Sequence, residues 1–241
     1  AKRPGMKIWL RKLIDTTSMM KTSQATAELL DHLTRELGFD YYHAVTVRHP
    51  GLGNAILSNA PEEWLDRYAQ ERFDEIDPIL IRAREIMAPF VVDIENEGRG
   101  ARGQLQAFYS SADLAGVRAG ICMPVTAPFS ELFTLSLFTG DVTVPHKYQL
   151  QPVLSANAVA LLHKHIEATE AASTRAPPIE LTARQSIVLK WAAEGKTTQE
   201  IALLENMTHH TVNFHMKNIR RKLKPVTLPQ TTALATKLKL I

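Results

Sequence analysis

The sequence predicts an α+β protein made of two units, an N-terminal αβα sandwich and a C-terminal all-α unit of four helices. Apolar residues recur at helical spacing along much of the chain, and short strand-like runs lie between these segments. A stretch rich in Ser, Thr and Pro separates two parts of different charge. The length of 241 residues suits two modest domains. We place the units at 1–169 and 179–241, joined by a linker over 170–178.

Periodicity defines the elements of the N-terminal unit. Helices are expected near 6–16, 22–37, 61–72, 76–87, 103–115 and 145–168, and strands at Tyr41–Arg48, Ala55–Ser58, Ala119–Val125 and Leu132–Thr139. Helices outside a short, mostly antiparallel sheet give an αβα sandwich.

Composition excludes several protein classes. Hydrophobic residues make up 45% and charged residues 22% of the chain, which excludes collagen-like, coiled-coil and largely disordered architectures. The single cysteine, Cys122, excludes an intramolecular disulfide framework and a Cys-rich zinc module, and we expect it to be a buried apolar filler. The sequence contains no run of about 18 apolar residues, so no membrane span is predicted. The first residues lack the apolar core and cleavage site of a signal peptide, so we expect a cytoplasmic protein.

Charge divides unevenly along the chain. The residues up to Pro177 carry 18 Lys and Arg against 21 Asp and Glu, whereas those from Pro178 carry 10 against 4. A basic unit attached to a mildly acidic one favours a polyanion as partner of the basic unit, although a solvated Lys/Arg surface gives the same count. The two consecutive prolines stop a helix and favour an extended connection.

Caps and turns divide the C-terminal unit into helices. Thr182 is a candidate N-cap of the first helix, and Gly195 ends it because glycine tolerates a left-handed backbone. Thr197 or Thr198 is expected to cap the second helix, which ends at Leu203 or Leu204, and Thr208 is expected to cap the third. A fourth helix is expected from about Gln230 to Leu240. Leu189 and Trp191 are expected in the core.

The third of these helices has two different faces. Apolar residues at helical spacing form one face, and polar and basic residues form the other. The apolar set is Val212, Met216, Ile219 and Leu223, and the polar set is His209, Asn213, Lys217, Arg220 and Arg221. A short helix, a tight turn and a longer basic helix are typical of a helix-turn-helix, whose second helix fills the DNA major groove. A plain helical bundle with a basic face fits the same periodicity.

A motif makes the interpretation of this unit more specific. Many positions match one pattern at fixed spacing: Leu181-Thr182-Ala183-Arg184, Gly195-Lys196-Thr197, Glu200-Ile201-Ala202, Thr211-Val212, His215, Asn218-Ile219 and Lys222-Leu223. This segment resembles the DNA-binding domain of the LuxR family. Gln185 stands where the family usually has Glu, and Thr208 where it usually has Ser. Both replacements keep hydrogen-bonding capacity.

The resemblance implies roles in DNA binding. Long cations suited to phosphate contacts are Lys196, Arg220, Arg221 and Lys222. Thr208 and Thr211 are expected to add neutral hydrogen bonds to phosphate at a helix N-terminus. Asn213 and Lys217 lie one turn apart and are expected at base edges, with adenine and guanine as their natural partners. His215 is expected to pack or to touch phosphate.

A second constellation lies in the N-terminal unit. Trp64 and Tyr68 are four residues apart and share a helix face, and Asp77-Pro78 is typical of the cap and first turn of another helix. A carboxylate accepts from an amide N–H, and the polar tips of Trp and Tyr donate to carbonyl oxygens. These groups beside an apolar layer suit a ligand with an apolar tail and an amide-lactone head. Taken alone, they also fit an ordinary core and a helix cap.

The order W-x-x-x-Y followed by D-P resembles the autoinducer-binding domain of the LuxR family, which senses N-acyl-homoserine lactones. The resemblance implies that Trp64 holds the lactone carbonyl, Asp77 the amide N–H and Tyr68 the acyl carbonyl. Ser136 is expected to add a hydroxyl contact to the same head group.

Three positions depart from that family's pattern. Ala60 and Phe73 stand where the family usually has Tyr, and Val92 stands where it usually has Trp. Since Ala60 and Val92 remove aromatic volume, we expect a pocket of altered shape around the head group. The hypothesis is a homoserine lactone with an unusual or bulky acyl part, or another small amphiphile.

The sequence thus predicts a quorum-sensing, ligand-responsive transcription factor that binds operator DNA as a homodimer, with RNA polymerase as a further partner and no membrane association. The alternative is an orphan LuxR-type regulator that is ligand-independent or responds to a non-lactone molecule. No enzyme, cofactor or metal site is expected, because no catalytic signature stands out. The histidines are scattered as well, at His43, His49, His146, His163 and His165 in the N-terminal unit.

Overall fold

The larger unit of this computed structural model is built on a five-stranded antiparallel sheet. Its strands are β1 (Tyr41–Val47), β2 (Ala55–Ser58), β3 (Phe90–Asp93), β4 (Ala119–Thr126) and β5 (Leu132–Thr139), in the spatial order β2-β1-β5-β4-β3. The structure describes residues 3–48, 54–128, 131–173, 181–223 and 231–232. Contacts divide the chain into two units, Ala1–Thr174 and Arg175–Ile241.

Helices cover both faces of this sheet. One face packs against α1 (Met6–Thr17), α2 (Ser23–Leu37) and α7 (Pro152–Ser173). The other face packs against α3 (Glu62–Gln70), α4 (Pro78–Ile86), α5 (Ile94–Glu97) and α6 (Gly103–Leu114). Because it is covered on both sides, β5 is buried along its whole length. The αβα sandwich predicted from the sequence is confirmed.

Close packing between β4 and β5 depends on one glycine. A Cβ atom at Gly120 in β4 would lie 2.4 Å from the carbonyl oxygen of Leu137 on the neighbouring strand. Only a residue without a side chain fits there, so β4 and β5 approach each other closely at this point.

Two sequence expectations for this unit need correction. Strand β3 and the short helix α5 were not predicted, because a four-residue strand shows too little alternation to stand out. The last helix was expected at 145–168, but a 3-10 turn occupies Pro145–Lys147 and α7 begins at Pro152, where proline suits the first helical turn. Helix α7 then continues to Ser173, inside the segment expected as linker.

The smaller unit contains α8 (Ala183–Ala193), α9 (Thr198–Leu204) and α10 (His209–Leu223). Thr182 and Thr197 each close a capping box, with Gln185 and Glu200 as the returning side chains. Gly195 has a φ of 82°, as its predicted role in ending a helix requires. The expected fourth helix lies outside the described residues except for positions 231 and 232, which are helical.

The core of the smaller unit follows the predicted periodicity. Val212, Met216, Ile219 and Leu223 are all buried and pack with residues of α8 and α9. Trp191 differs from the expectation of a core residue, since it is only half-buried at the edge of this cluster. Its indole N–H donates to Glu205 Oε1 at 2.7 Å, which explains why the ring stays at the edge. Within the described residues, no helix is long and apolar enough to cross a membrane.

Candidate functional site

An aromatic cluster lies between α3, α6 and the sheet. Trp64 and Tyr68 share one face of α3, with ring centroids 5.7 Å apart. The Phe73 ring lies 6.0 Å from Tyr68, and the Phe108 ring of α6 lies 5.5 Å from Phe73 and 5.8 Å from Trp64. Most of these rings meet edge to face, the arrangement that aromatic quadrupoles favour. Sequence analysis did not single out Phe108, whose only signal is its place in the apolar pattern of α6.

A buried carboxylate lies beside this cluster. Asp77 caps α4, and its Oδ1 accepts from the backbone N–H of Ile79 at 2.8 Å. The Tyr68 hydroxyl donates to Asp77 Oδ2 at 2.7 Å. Burial raises the pKa of Asp77 to about 6, although the hydrogen bonds from Tyr68 and the helix backbone oppose that shift. Burial and the neighbouring carboxylate also raise the pKa of the Tyr68 hydroxyl well above its ordinary value, so it remains a donor.

The sheet supplies a row of side chains on the same face. His43 of β1 lies opposite Ser136 of β5, which lies opposite Cys122 of β4, which lies opposite Phe90 of β3. Directly opposite residues of antiparallel strands share a face. Cys122 and Phe90 pack in the same core cluster as Tyr68, so this row faces the aromatic side chains. Burial raises the pKa of the Cys122 thiol to about 12, which keeps it uncharged.

His43 is a polar member of this row that sequence analysis counted only among the scattered histidines. Its ring stands edge-on to Tyr68, with centroids 6.2 Å apart. Burial lowers the pKa of His43 to about 4, so the imidazole is neutral at physiological pH. Within the described part of the chain, its Nδ1 atom is buried without a hydrogen-bond partner. Strand alternation was the available signal, because residue 43 shares a face with 41, 45 and 47.

The structure brings together most of the residues expected at the ligand. Phe73 and Val92 are fully buried in the same cluster as Tyr68, and Trp64 packs against it. Ser136 joins through the sheet row. Ala60 lies apart from this cluster, half-buried after β2, where its N–H donates to the Ser58 hydroxyl.

The second candidate site is the cationic surface of α10. Lys217 and Arg220 line a cleft of about 250 Å³ together with Lys196, Thr198 and Asn213. Lys217, Arg220 and Arg221 are exposed. Among the residues that the structure describes, these cations and Lys196 form no ion pair. Cations outside ion pairs are available to neutralise phosphate.

Other predicted DNA-binding residues have partners inside the unit. Lys222 Nζ donates to Gln185 Oε1 at 2.9 Å and so ties the end of α10 to the start of α8. The hydroxyls of Thr208 and Thr211 lie 2.8 Å apart at the start of α10. His215 is half-buried. Phe214, which sequence analysis passed over, is 61% exposed beside Asn213.

Comparisons with known proteins assign a family to each unit. A family profile described as an autoinducer binding domain matches residues 22–165, and one for bacterial regulatory proteins of the luxR family matches residues 180–235. The transcriptional activator protein TraR of Agrobacterium vitis is 28% identical over 98% of this chain and 100% of its own length.

Three solved structures, two of them of the same protein, share all or part of this fold. Escherichia coli SdiA has a TM-score of 0.71 at 23% identity, over 97% of this chain and 98% of that one. SdiA was also solved in complex with octanoyl-rac-glycerol, with a TM-score of 0.68 at 22% identity over 98% and 96% of the two chains. The N-acylhomoserine lactone dependent factor CepR2 of Burkholderia cenocepacia has a TM-score of 0.54 at 21% identity, over 69% of this chain and 99% of that one.

The two matched profiles cover the two units in turn, and the first spans more than half of the chain. The unit with the buried carboxylate is an autoinducer-binding domain, and the unit with the cationic helix is a DNA-binding domain. The protein is therefore a ligand-responsive transcription factor of the LuxR family.

Proposed function

We propose that this protein binds an N-acyl-homoserine lactone and regulates transcription in a quorum-sensing response. The observation that carries the proposal is the buried Asp77 carboxylate, hydrogen-bonded to Tyr68 beside an aromatic cluster. It acts in the cytoplasm as a homodimer on operator DNA and contacts RNA polymerase there. It has no catalytic activity of its own.

The head group of the signal fits the polar atoms of the pocket. The Asp77 carboxylate accepts from the amide N–H of the ligand, because an ionised acceptor makes the stronger hydrogen bond. The Tyr68 hydroxyl donates to the acyl carbonyl, the Trp64 indole N–H donates to the lactone carbonyl, and the Ser136 hydroxyl adds a further contact. Phe73 supplies apolar contact to the ring.

The proposed signal differs from ordinary acyl-homoserine lactones in its acyl group. Val92 is fully buried where an aromatic side chain is usual in the family, so the apolar wall of the pocket is smaller there. A bulky or branched acyl group fills the volume. A different amphiphile is the alternative, and the complex of SdiA with octanoyl-rac-glycerol supports it.

The DNA-binding domain places α10 in the major groove. Asn213 and Lys217 reach base edges, and Lys196, Arg220 and Arg221 contact phosphate. Thr208, Thr211 and His215 add short contacts to the backbone of the duplex. Lys222 contributes to phosphate binding from a position fixed by Gln185.

A thermal-unfolding screen of the full chain tests the signal class. The panel contains straight-chain, branched and aryl homoserine lactones and octanoyl-rac-glycerol. At a concentration near 100 times its Kd, one branched or aryl lactone is expected to raise the midpoint by roughly 5–10 °C. Trp64→Phe and Asp77→Asn should remove most of this rise, because the first removes the indole N–H and the second replaces a carboxylate oxygen by an amide nitrogen. Asp66→Asn, an exposed carboxylate on α3, is the matched control and should keep it.

Each other result of the screen contradicts a part of the proposal. A larger rise with straight-chain lactones overturns the bulky acyl group. A rise only with octanoyl-rac-glycerol overturns the lactone head. If no compound raises the midpoint of a chain that is folded and binds DNA, the protein is an orphan regulator.

A further inference from the structure

The first residue of the DNA-recognition helix makes a contact that links two helices. His209 begins α10, and its Nε2 lies 2.9 Å from the hydroxyl oxygen of Thr198 on α9. The amide nitrogen of Asn213, one turn further along α10, lies 3.2 Å from Nδ1 and 3.3 Å from Nε2 of the same ring. The imidazole therefore stands between a hydroxyl of one helix and the side-chain amide of the other.

The two distances show how the amide meets the ring. Nδ1 and Nε2 flank one ring carbon, so a nitrogen almost equally far from both lies over the face of the imidazole and not in its plane. The amide N–H therefore donates to the π face of the ring, since the lone pair of a ring nitrogen lies in the plane. The hydrogen bond of Nε2 with the Thr198 hydroxyl holds the ring in this orientation.

The held amide presents a defined edge. Within the part of the chain that the structure describes, Oδ1 of Asn213 has no hydrogen-bond partner, and the side chain is exposed. One N–H of the amide also stays available, because the amide carries two. An acceptor beside a donor complements the N6 amino group and N7 of adenine in the major groove.

We propose that His209 is a positioning residue for sequence recognition, which holds Asn213 ready to select adenine at one operator position. This inference rests on the proposed role of Asn213 as a reader of bases. The side chain of a free asparagine samples several rotamers and both amide orientations, and ordering it costs conformational entropy on binding. Contact with His209 orders the Asn213 side chain in the free protein, so DNA binding loses less conformational entropy.

The competing explanation is that the contact of His209 with Thr198 only holds α9 and α10 together. The two helices already pack through Ile201, Val212 and Met216, all of which are buried. An exposed hydrogen bond adds little to such packing. The two explanations predict different losses. Loss of a positioning residue changes the base preference at one operator position, whereas loss of a structural contact weakens DNA binding by the whole domain.

The test compares base preferences. The full chain, with the most stabilising lactone of the panel present, is used to select binding sites from a library of random duplex DNA. The position whose preference disappears in Asn213→Ala identifies the base that this residue reads. His209→Leu is expected to lose about tenfold in adenine preference at that same position and to keep its affinity for unselected DNA within about twofold. Thr198→Val should cause a smaller loss at that position.

Controls separate the outcomes. His209→Phe keeps an aromatic face for the amide and should recover part of the preference, and the double variant of His209 and Asn213 should lose no more than Asn213→Ala alone. Lys196→Ala, a phosphate contact, should weaken binding equally at all positions. The proposal is overturned if His209→Leu leaves the preference intact or weakens all positions equally. If Asn213→Ala changes no position, the base-reading role itself is wrong.

Discussion

The two candidate sites keep their functional side chains in opposite environments. Asp77 and Tyr68 are buried and bonded to each other, whereas Lys217 and Arg220 are exposed and form no ion pair within the described residues. A small molecule is largely desolvated when it binds, so its site lies in the core, whereas a DNA duplex is too large to enclose and requires a surface. Stability and function are therefore coupled in the first site and separable in the second.

Two phenylalanines test this difference with the largest expected effect. Phe73 is fully buried in the aromatic cluster, and Phe214 is 61% exposed on α10. Phe73→Ala leaves a cavity and is expected to lower the free energy of unfolding by about 3–5 kcal/mol. Phe214→Ala should change it by less than about 0.5 kcal/mol. Urea unfolding followed by circular dichroism measures both, and similar losses for the two variants would contradict the comparison.

Asp77→Asn is expected to change stability and function in opposite directions within the buried site. The pKa of Asp77 is about 6 in the folded protein against an ordinary 3.8, so the fold holds the protonated form more tightly. Its contribution to stability is present below pH 3.8 and is lost as the pH rises through 6. At pH 7 the buried charge costs roughly 3 kcal/mol. We expect the variant to regain about 1–3 kcal/mol in free energy of unfolding, since Asn still accepts from Ile79.

The measurement is urea unfolding of both proteins without ligand at pH 4 and pH 7. The gain should be small at pH 4, where the carboxyl is mostly protonated in the folded protein, and largest above pH 6. The same variant should lose the response to the lactone. An equal gain at both pH values would show that burial of the charge is not its cause.

The smallest expected change in stability comes from a comparison of two neighbouring cations of α10. Lys222 donates to Gln185, whereas Arg221 is exposed without an ion pair among the described residues. Lys222→Met is expected to lower the free energy of unfolding by about 1 kcal/mol, and Arg221→Met to leave it nearly unchanged. Arg221→Met should reduce the slope of log affinity against log salt for DNA by about 0.9 without this loss of stability. Exchanged results would mean that the two side chains have the opposite roles.

The comparison also explains what the sequence revealed. The caps Thr182, Thr197 and Thr208 and the apolar face of α10 follow from residues three or four positions apart, so local spacing was enough to find them. The same holds for Trp64, Tyr68 and Asp77, which lie close together in the chain. Local signals placed the three described helices of the second unit and the residues proposed to bind the head group in the first.

Long-range pairing lay beyond those signals. The row of His43, Ser136 and Cys122 exists only because β5 pairs with β1 and β4 in one particular register. A single residue of slippage would turn each of these side chains to the other face. The position of His43 beside Tyr68 depends on this register, and so does its lowered pKa. The sequence alone does not show which register these strands adopt.

The hydrogen bond between Tyr68 and Asp77 has a consequence for signalling. The Tyr68 hydroxyl has one proton, and without ligand it donates that proton to the Asp77 carboxylate. In the proposed binding mode this donor turns to the acyl carbonyl, and the N–H of the ligand takes its place at the carboxylate. A carbonyl compound that offers no donor in return would leave the buried carboxylate with one hydrogen bond fewer, which costs free energy. The exchange therefore favours an amide over an ester at this position of the signal.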